Sequence, residues 1–301
     1  MESVTPIADN IHLRVRALEA EHKQMRATLD SLQVPAGAPI SMARIEALAA
    51  ENARLREENK GLRLHAAYED WFESLFGVRV PTPNTFPFTT WGTGTAWGDK
   101  AAYGLQDAEI VFAEHLLEKL EADGVAGAIV EFGTYYGHWV QVLAETLERR
   151  GWHREIWGFD SFEGLPAPQS GLDPTVWSEG QYAAPFEEVK QRLQVEKRPW
   201  LQLVKGWFNE SLVAEPALSI GPIAYARVDG DLYASCVDCL AFLAPRLVQG
   251  AILVFDDWQF DQNVGEPRAF GEWMAANPGW EFEYLGMNLW AHLYLRVKRR
   301  P

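Results

Sequence analysis

Cysteine is nearly absent from this chain: two residues in 301, Cys236 and Cys239, too few for a disulfide framework. They stand three apart in a stretch that reads as helical. A CxxC pair invites a redox reading, but redox motifs of that kind open a helix, so two buried thiols are expected instead. Positive charge is scarce as well. Lys and Arg number 27 against 42 Asp and Glu, a formal net charge of −15, with no long basic run to offset it. Nucleic acid and anionic membranes both need cationic patches, so neither is expected as a main partner, and a neutral or cationic small molecule fits better. No apolar stretch approaches the roughly 18 residues that span a bilayer. Met1 to Asn10 lacks both the charged start and the apolar core of a secretory signal, and the expected location is the cytoplasm. What the chain does have is apolar and aromatic material, 48% hydrophobic residues and 13 Trp, which excludes a disordered or fibrous chain and permits a sizeable core.

Apolar spacing divides the sequence into three parts. In residues 1–66, Ile11, Val15, Leu18, His22, Met25, Leu29 and Leu32 recur alternately four and three apart, the seam of a coiled coil. Pro35, Gly37 and Pro39 break it. A second seam follows at Ile45, Leu48, Asn52, Leu55, Asn59 and Leu62. Asn at a core position pairs best with its own copy in a parallel two-stranded coil, so a homo-oligomer through this segment is expected; an intrachain hairpin of the two seams is the other arrangement. Residues 67–104 hold Pro81, Pro83, Pro87, Trp91 and Trp97 among Gly and Thr, which predicts an irregular linker or a lid over a site.

From residue 105 to 301, helices alternate with short apolar strands at about 128–132, 155–159, 201–205, 223–228 and 250–255. That alternation predicts an α/β Rossmann-like fold with a mostly parallel sheet covered on both faces. Trp280 to Tyr284 and Leu289 to Val297, joined by residues 285–288, predict an antiparallel pair closing one edge.

Ligands of such sheets bind at the carboxyl ends of the strands. The first strand runs through Glu131 into Gly133-Thr134-Tyr135-Tyr136-Gly137. Glycines there admit a ligand close to the backbone, but the G-x-G-x-x-G that accepts a pyrophosphate is missing, which disfavours NAD. The second strand ends at Asp160-Ser161. Asp160 can accept hydrogen bonds from both ribose hydroxyls of an adenosine cofactor, or can cap the next turn. Gly206 after the third strand would bring backbone near an adenine, with Trp207 or Phe208 as its apolar wall or as plain core. The fourth strand delivers Asp229-Gly230-Asp231 and the fifth Asp256-Asp257. Four carboxylates at neighbouring strand ends repel unless a cation sits among them, and all-oxygen donors suit Mg²⁺. Asp229 and Asp231 share one face of an extended strand, while Asp256 and Asp257 point apart unless the chain turns. His115 and His138 read as packing or capping residues, and His292, in a terminal strand, as unremarkable.

Together Val130-Glu131-Phe132-Gly133, the run Gly158 to Pro166, Lys205-Gly206-Trp207-Phe208, Asp229 to Tyr233 and Phe255-Asp256-Asp257-Trp258 resemble the macrocin O-methyltransferase (TylF-type) family. The resemblance covers about residues 105–300 and implies an S-adenosylmethionine- and Mg²⁺-dependent O-methyltransferase acting on a hydroxyl of a sugar moiety of a natural product or polysaccharide. The expected cofactor contacts are Glu131, Gly133, Thr134, Tyr135 and Gly137, Asp160 and Ser161, Gly206, Trp207 and Phe208, and Asp229; by position the resemblance gives the cofactor ribose to Asp160. It gives Mg²⁺ to Asp229, Asp256 and Asp257, and makes Asp231 the candidate base. A histidine that some members carry after the paired aspartates is replaced here by Trp258-Gln259-Phe260, which leaves the base open. Gly265-Glu266 and Ala269-Phe270 also match, in a role the sequence does not supply. A catechol-like phenol is the alternative acceptor; an NAD-dependent oxidoreductase and a non-catalytic coiled-coil scaffold are the competing functions.

Overall fold

The computed structural model describes Ala50, Arg54 and residues 67–78, 100–287 and 291–299. The coiled-coil seams and the oligomer expected from them lie outside these residues, apart from Ala50 and Arg54. By its contacts the chain divides into two units, residues 1–80 and 81–301.

In the first unit, residues 67–76 are helical, a departure from the irregular linker expected over 67–104. This stretch precedes Pro81, the first proline of the segment, and has a turn-to-turn aromatic seam in which Tyr68, Phe72 and Phe76 meet in sequence at tilted angles (ring centroids 5.9 and 4.6 Å). Such i, i+4 pairs stabilise a helix.

The second unit opens with α1 (Lys100–Ala122), five residues ahead of the expected start. The strands are β1 (Ala128–Phe132), β2 (Ile156–Asp160), β3 (Leu201–Lys205), β4 (Ile223–Val228), β5 (Leu247–Phe255), β6 (Trp280–Met287) and β7 (Leu293–Arg299). Between them lie α2 (His138–Arg150), α3 (Phe186–Arg192), α4 (Phe208–Ser211), α5 (Tyr233–Leu243) and α6 (Gly265–Ala276). The sheet order is β3-β2-β1-β4-β5-β7-β6, parallel from β3 to β5 and antiparallel at β7 and β6. Every residue of β1, β2 and β4 is buried, as strands covered by helices on both faces must be. At the edge, β3 is only partly buried, at Leu201 and Val204.

The closing hairpin is longer than expected. Residues 285–287 do not turn; Gly286 and Met287 pair with Tyr294 and Leu293 across a bulge after Tyr284, so β7 starts at Leu293 rather than 289. The order of strands reverses between β1 and β4, where a crevice opens at their carboxyl ends.

Candidate active site

The crevice is a cavity of about 1070 Å³ reached from the carboxyl ends of β1, β2, β4 and β5. Its floor is fixed by one glycine. Gly133 has φ +89°, and a Cβ there would lie 1.6 Å from the Asp229 carbonyl oxygen, so only glycine lets the turn after β1 rest on the loop after β4. The Asp229 amide in turn donates to the Phe132 carbonyl (2.9 Å), locking the two strand ends together.

Asp160 stands at the end of β2 and lines the cavity, and of the two roles expected of it the turn cap is visible. Its Oδ1 accepts from the Phe162 amide (2.5 Å) and so caps the next turn; its Oδ2 accepts from the Tyr135 amide (2.7 Å) while the residue lines the cavity. Burial raises its pKa against the pull of those two amides. Glu131 is also buried, with Oε2 unpartnered at the cavity. Burial pushes its carboxyl well up, opposed by Arg227 and reinforced by Asp229 and Asp160. Trp207 and Phe208 line the cavity as expected, as do Thr134, Tyr135 and Ser161. Gly137 and Gly206 do not. Gly137 caps the start of α2, and Gly206 donates its amide to the Asp160 carbonyl (2.9 Å); both shape turns that other residues use to reach the cavity.

The acids sort into two groups. Ligand atoms of Asp229, Asp231 and Asp257 lie within 4.8 Å of one another. Asp229 and Asp231 meet there by a route other than strand alternation: β4 stops at Val228, and Asp231 adopts a left-handed backbone (φ 58°) that places its amide 3.2 Å from Asp257 Oδ2. Such strain in a non-glycine residue concentrates at functional sites. Burial and then Asp257 push Asp229 up to about 7, and burial, Asp257 and Asp229 push Asp231 up to about 10. Asp257 is raised by burial too. Among the described residues no Lys or Arg pairs with these three. The trio therefore fits a hard divalent cation in donor type, number and charge demand.

Asp256, expected among the metal ligands, belongs to the second group. It forms an ion pair with the guanidinium of Arg227 and lies 3.4 Å from His292 Nε2. Arg227 is 1% exposed, packs over the Trp139 ring (4.3 Å) and lies 3.8 Å from Glu109. Glu109 also binds His292 Nδ1 and accepts from the Tyr294 hydroxyl (2.6 Å). Burial alone would raise Glu109, yet His292, Arg227 and Tyr294 hold it down at about 2. Arg227 supplies this cluster with a cation, and the ligand atoms of Glu109, Asp256 and His292 also lie within 4.8 Å of one another.

Glu266, without a role in the sequence, is fully buried and accepts the Asp257 amide on Oε2 (3.0 Å). It fixes the direction in which Asp257 leaves β5. Its motif partners Ala269 and Phe270 are core, Phe270 meeting Phe255 and Trp258 edge-on (5.1 and 5.8 Å). His292 corrects its reading as an unremarkable strand residue, and His138 lines the cavity with Nε2 unpartnered. His115 is an exposed residue on α1, 3.9 Å from Glu118. Cys236 and Cys239 are free, buried thiols on α5, pushed well up by burial, which leaves them without the thiolate character redox chemistry needs. Sequence reasoning missed Trp177 and Tyr182, which reach the cavity from the excursion between β2 and α3; no periodicity marks them.

Comparison with known proteins bears on this geometry. The family described as Macrocin-O-methyltransferase (TylF) matches residues 91–274, more than half of the chain. An 8-demethyl-8-(2,3-dimethoxy-alpha-L-rhamnosyl)-tetracenomycin-C 4'-O-methyltransferase from Streptomyces olivaceus is 34% identical over 159 residues, 49% of this chain and 59% of that protein. A mycinamicin III 3''-O-methyltransferase from Micromonospora griseorubida is 25% identical over 158 residues, 48% of this chain and 60% of that one. The matched segment thus spans less than two thirds of either relative. Among solved structures, the O-methyltransferase NovP superposes with a TM-score of 0.54 at 24% identity, covering 64% of this chain and 80% of that chain, a likeness of fold. No helix among the described residues is long and apolar enough to cross a membrane.

Proposed function

The chain belongs to the macrocin-O-methyltransferase (TylF) family, and from that premise we propose that it methylates a hydroxyl on a sugar moiety of a natural product or polysaccharide. The observation that carries this reading is the convergence of Asp229, Asp231 and Asp257 beside Asp160 at the switch point of the sheet. S-adenosylmethionine, when bound, supplies the methyl group on a cationic sulfonium. An acidic cavity suits such a cofactor, whereas the dianionic pyrophosphate of NAD would meet Glu131, Asp160 and Asp229 at close range. Asp160 takes the ribose with the acceptor capacity its two amide bonds leave, and Trp207 and Phe208 flank the adenine. Mg²⁺, when bound, lowers the pKa of an acceptor hydroxyl and orients it. Asp229 and Asp257 are the residues that would hold it. With a cation on Asp229 and Asp257 offsetting the repulsion that raises it, Asp231 would be held as the carboxylate that accepts the hydroxyl proton, its left-handed backbone keeping it turned into the cavity, and Glu266 and Gly133 hold the two strand ends at fixed separation. Rate then comes from positioning and from a base in reach of the proton.

S-adenosylhomocysteine formation is the test. It is expected with glycosides bearing free hydroxyls and to stop on addition of EDTA. Formation with catechol, and none with any glycoside, would replace the sugar by a phenol.

A further inference from the structure

The 25-residue excursion between β2 and α3 (residues 161–185) has no regular element, yet it is a fixed wall of the cavity. Leu165 and Gln181 are zipped by the Leu165 amide on the Gln181 carbonyl (2.7 Å) and the Gly180 amide on the Leu165 carbonyl (2.9 Å). Gly164 (φ +91°) permits that contact, since a Cβ there would lie 2.5 Å from the Gly180 oxygen. Asp173 ties the wall to the start of α5, one oxygen accepting the Gln169 amide (2.6 Å) and the other the Tyr233 amide (2.7 Å). The Gly265 amide donates to the Leu172 carbonyl (2.8 Å), which ties it to α6 as well.

This wall presents rings to the cavity. Trp177 meets Tyr182 (centroids 5.9 Å, 68°), and Tyr182 meets Tyr135 (5.6 Å, 86°). Tyr135 and Tyr182 both take left-handed backbone (φ 48° and 62°) and leave 40% and 45% of their surface exposed. Two strained tyrosines with open faces at a cavity are costly unless something lies on them. The Trp177 indole N–H is buried without an acceptor. Tyr182 and the acid trio line the same cavity, and the phenol is raised by burial and then by Asp231, Asp257 and Asp229.

We propose that Trp177, Tyr182 and Tyr135 form the acceptor subsite, taking a pyranose ring with its C–H face on the aromatic rings. The Trp177 N–H donates to a ring or hydroxyl oxygen, and stacking on Tyr182 turns the reacting hydroxyl toward Asp231. A pyranose carries both an apolar face and a rim of oxygens, and the wall offers a partner to each. The assignment rests on the sugar O-methyltransferase reading above.

The probe is methyl α-L-rhamnopyranoside, followed by saturation-transfer NMR on the full chain loaded with S-adenosylhomocysteine and Mg²⁺. Saturation is expected to reach the ring C–H protons in the wild type and in Tyr182→Phe, and binding is expected to weaken about tenfold in Tyr182→Ala. Undiminished transfer in Tyr182→Ala, or none in a wild type that binds S-adenosylhomocysteine, overturns the subsite. A wild type that fails to bind S-adenosylhomocysteine, followed calorimetrically, overturns the methyltransferase reading and the subsite with it.

Discussion

Asp231→Asn is expected to bind S-adenosylmethionine as the wild type does and to turn over about 10²- to 10⁴-fold more slowly, the range a positioned general base contributes. The amide keeps the shape of the side chain and removes its capacity to take a proton. It also removes one of three carboxylates whose ligand atoms lie within 4.8 Å of each other. The variant should therefore be no less stable in thermal unfolding than the wild type, and a small gain is expected because mutual repulsion is relieved. Lower turnover with unchanged cofactor affinity and unchanged or higher melting temperature separates a base from a structural residue. Full activity in Asp231→Asn would remove the residue from that role.

Arg227→Met is the change expected to cost the fold most. The guanidinium is 1% exposed and is the cation between Glu109 and Asp256. Replacing it by an apolar chain of similar length leaves two carboxylates inside the protein facing each other across His292. Removing one partner of a buried charge cluster typically costs about 3–5 kcal/mol. Urea denaturation measures it. Adding Glu109→Gln to Arg227→Met should recover part of the loss, because the double variant buries one unpaired charge fewer, and the two effects should be far from additive. A single-variant loss below about 1 kcal/mol, the worth of an exposed pair, would mean that the cluster is wetter than its burial implies.

The Arg227 cluster also marks the limit of what could be read from the chain. β1 and β4 are apolar runs broken by a single charged residue and bounded by turn residues, and the structure holds them, with the shorter apolar signal of β3, at 128–132, 223–228 and 201–205. The acids stood out because they follow such runs, and strand ends of a parallel sheet face one crevice. Which acids meet was another matter. Asp256 and Asp257 are adjacent in sequence, and what divides them is Arg227 on the neighbouring strand and Glu266 nine residues downstream, each matched to its acid only once the sheet is assembled. His292 was unremarkable because its partners, Glu109 and Asp256, come from α1 and the end of β5. Tyr182 and Trp177 escaped because an irregular excursion carries no periodicity to show which side chains face inward. The Asp231 backbone is a similar case: strand alternation brought Asp229 and Asp231 to one face in the reading, and a left-handed turn brings them there in the protein.

Isothermal calorimetry of the protein with S-adenosylmethionine, and with NAD⁺ as the control, each in Mg²⁺ and in EDTA, tests the central claim most directly. Saturable heat with S-adenosylmethionine and none with NAD⁺ is the predicted result. Heat with NAD⁺ and silence toward S-adenosylmethionine would contradict the account and return the acidic crevice to the oxidoreductase reading.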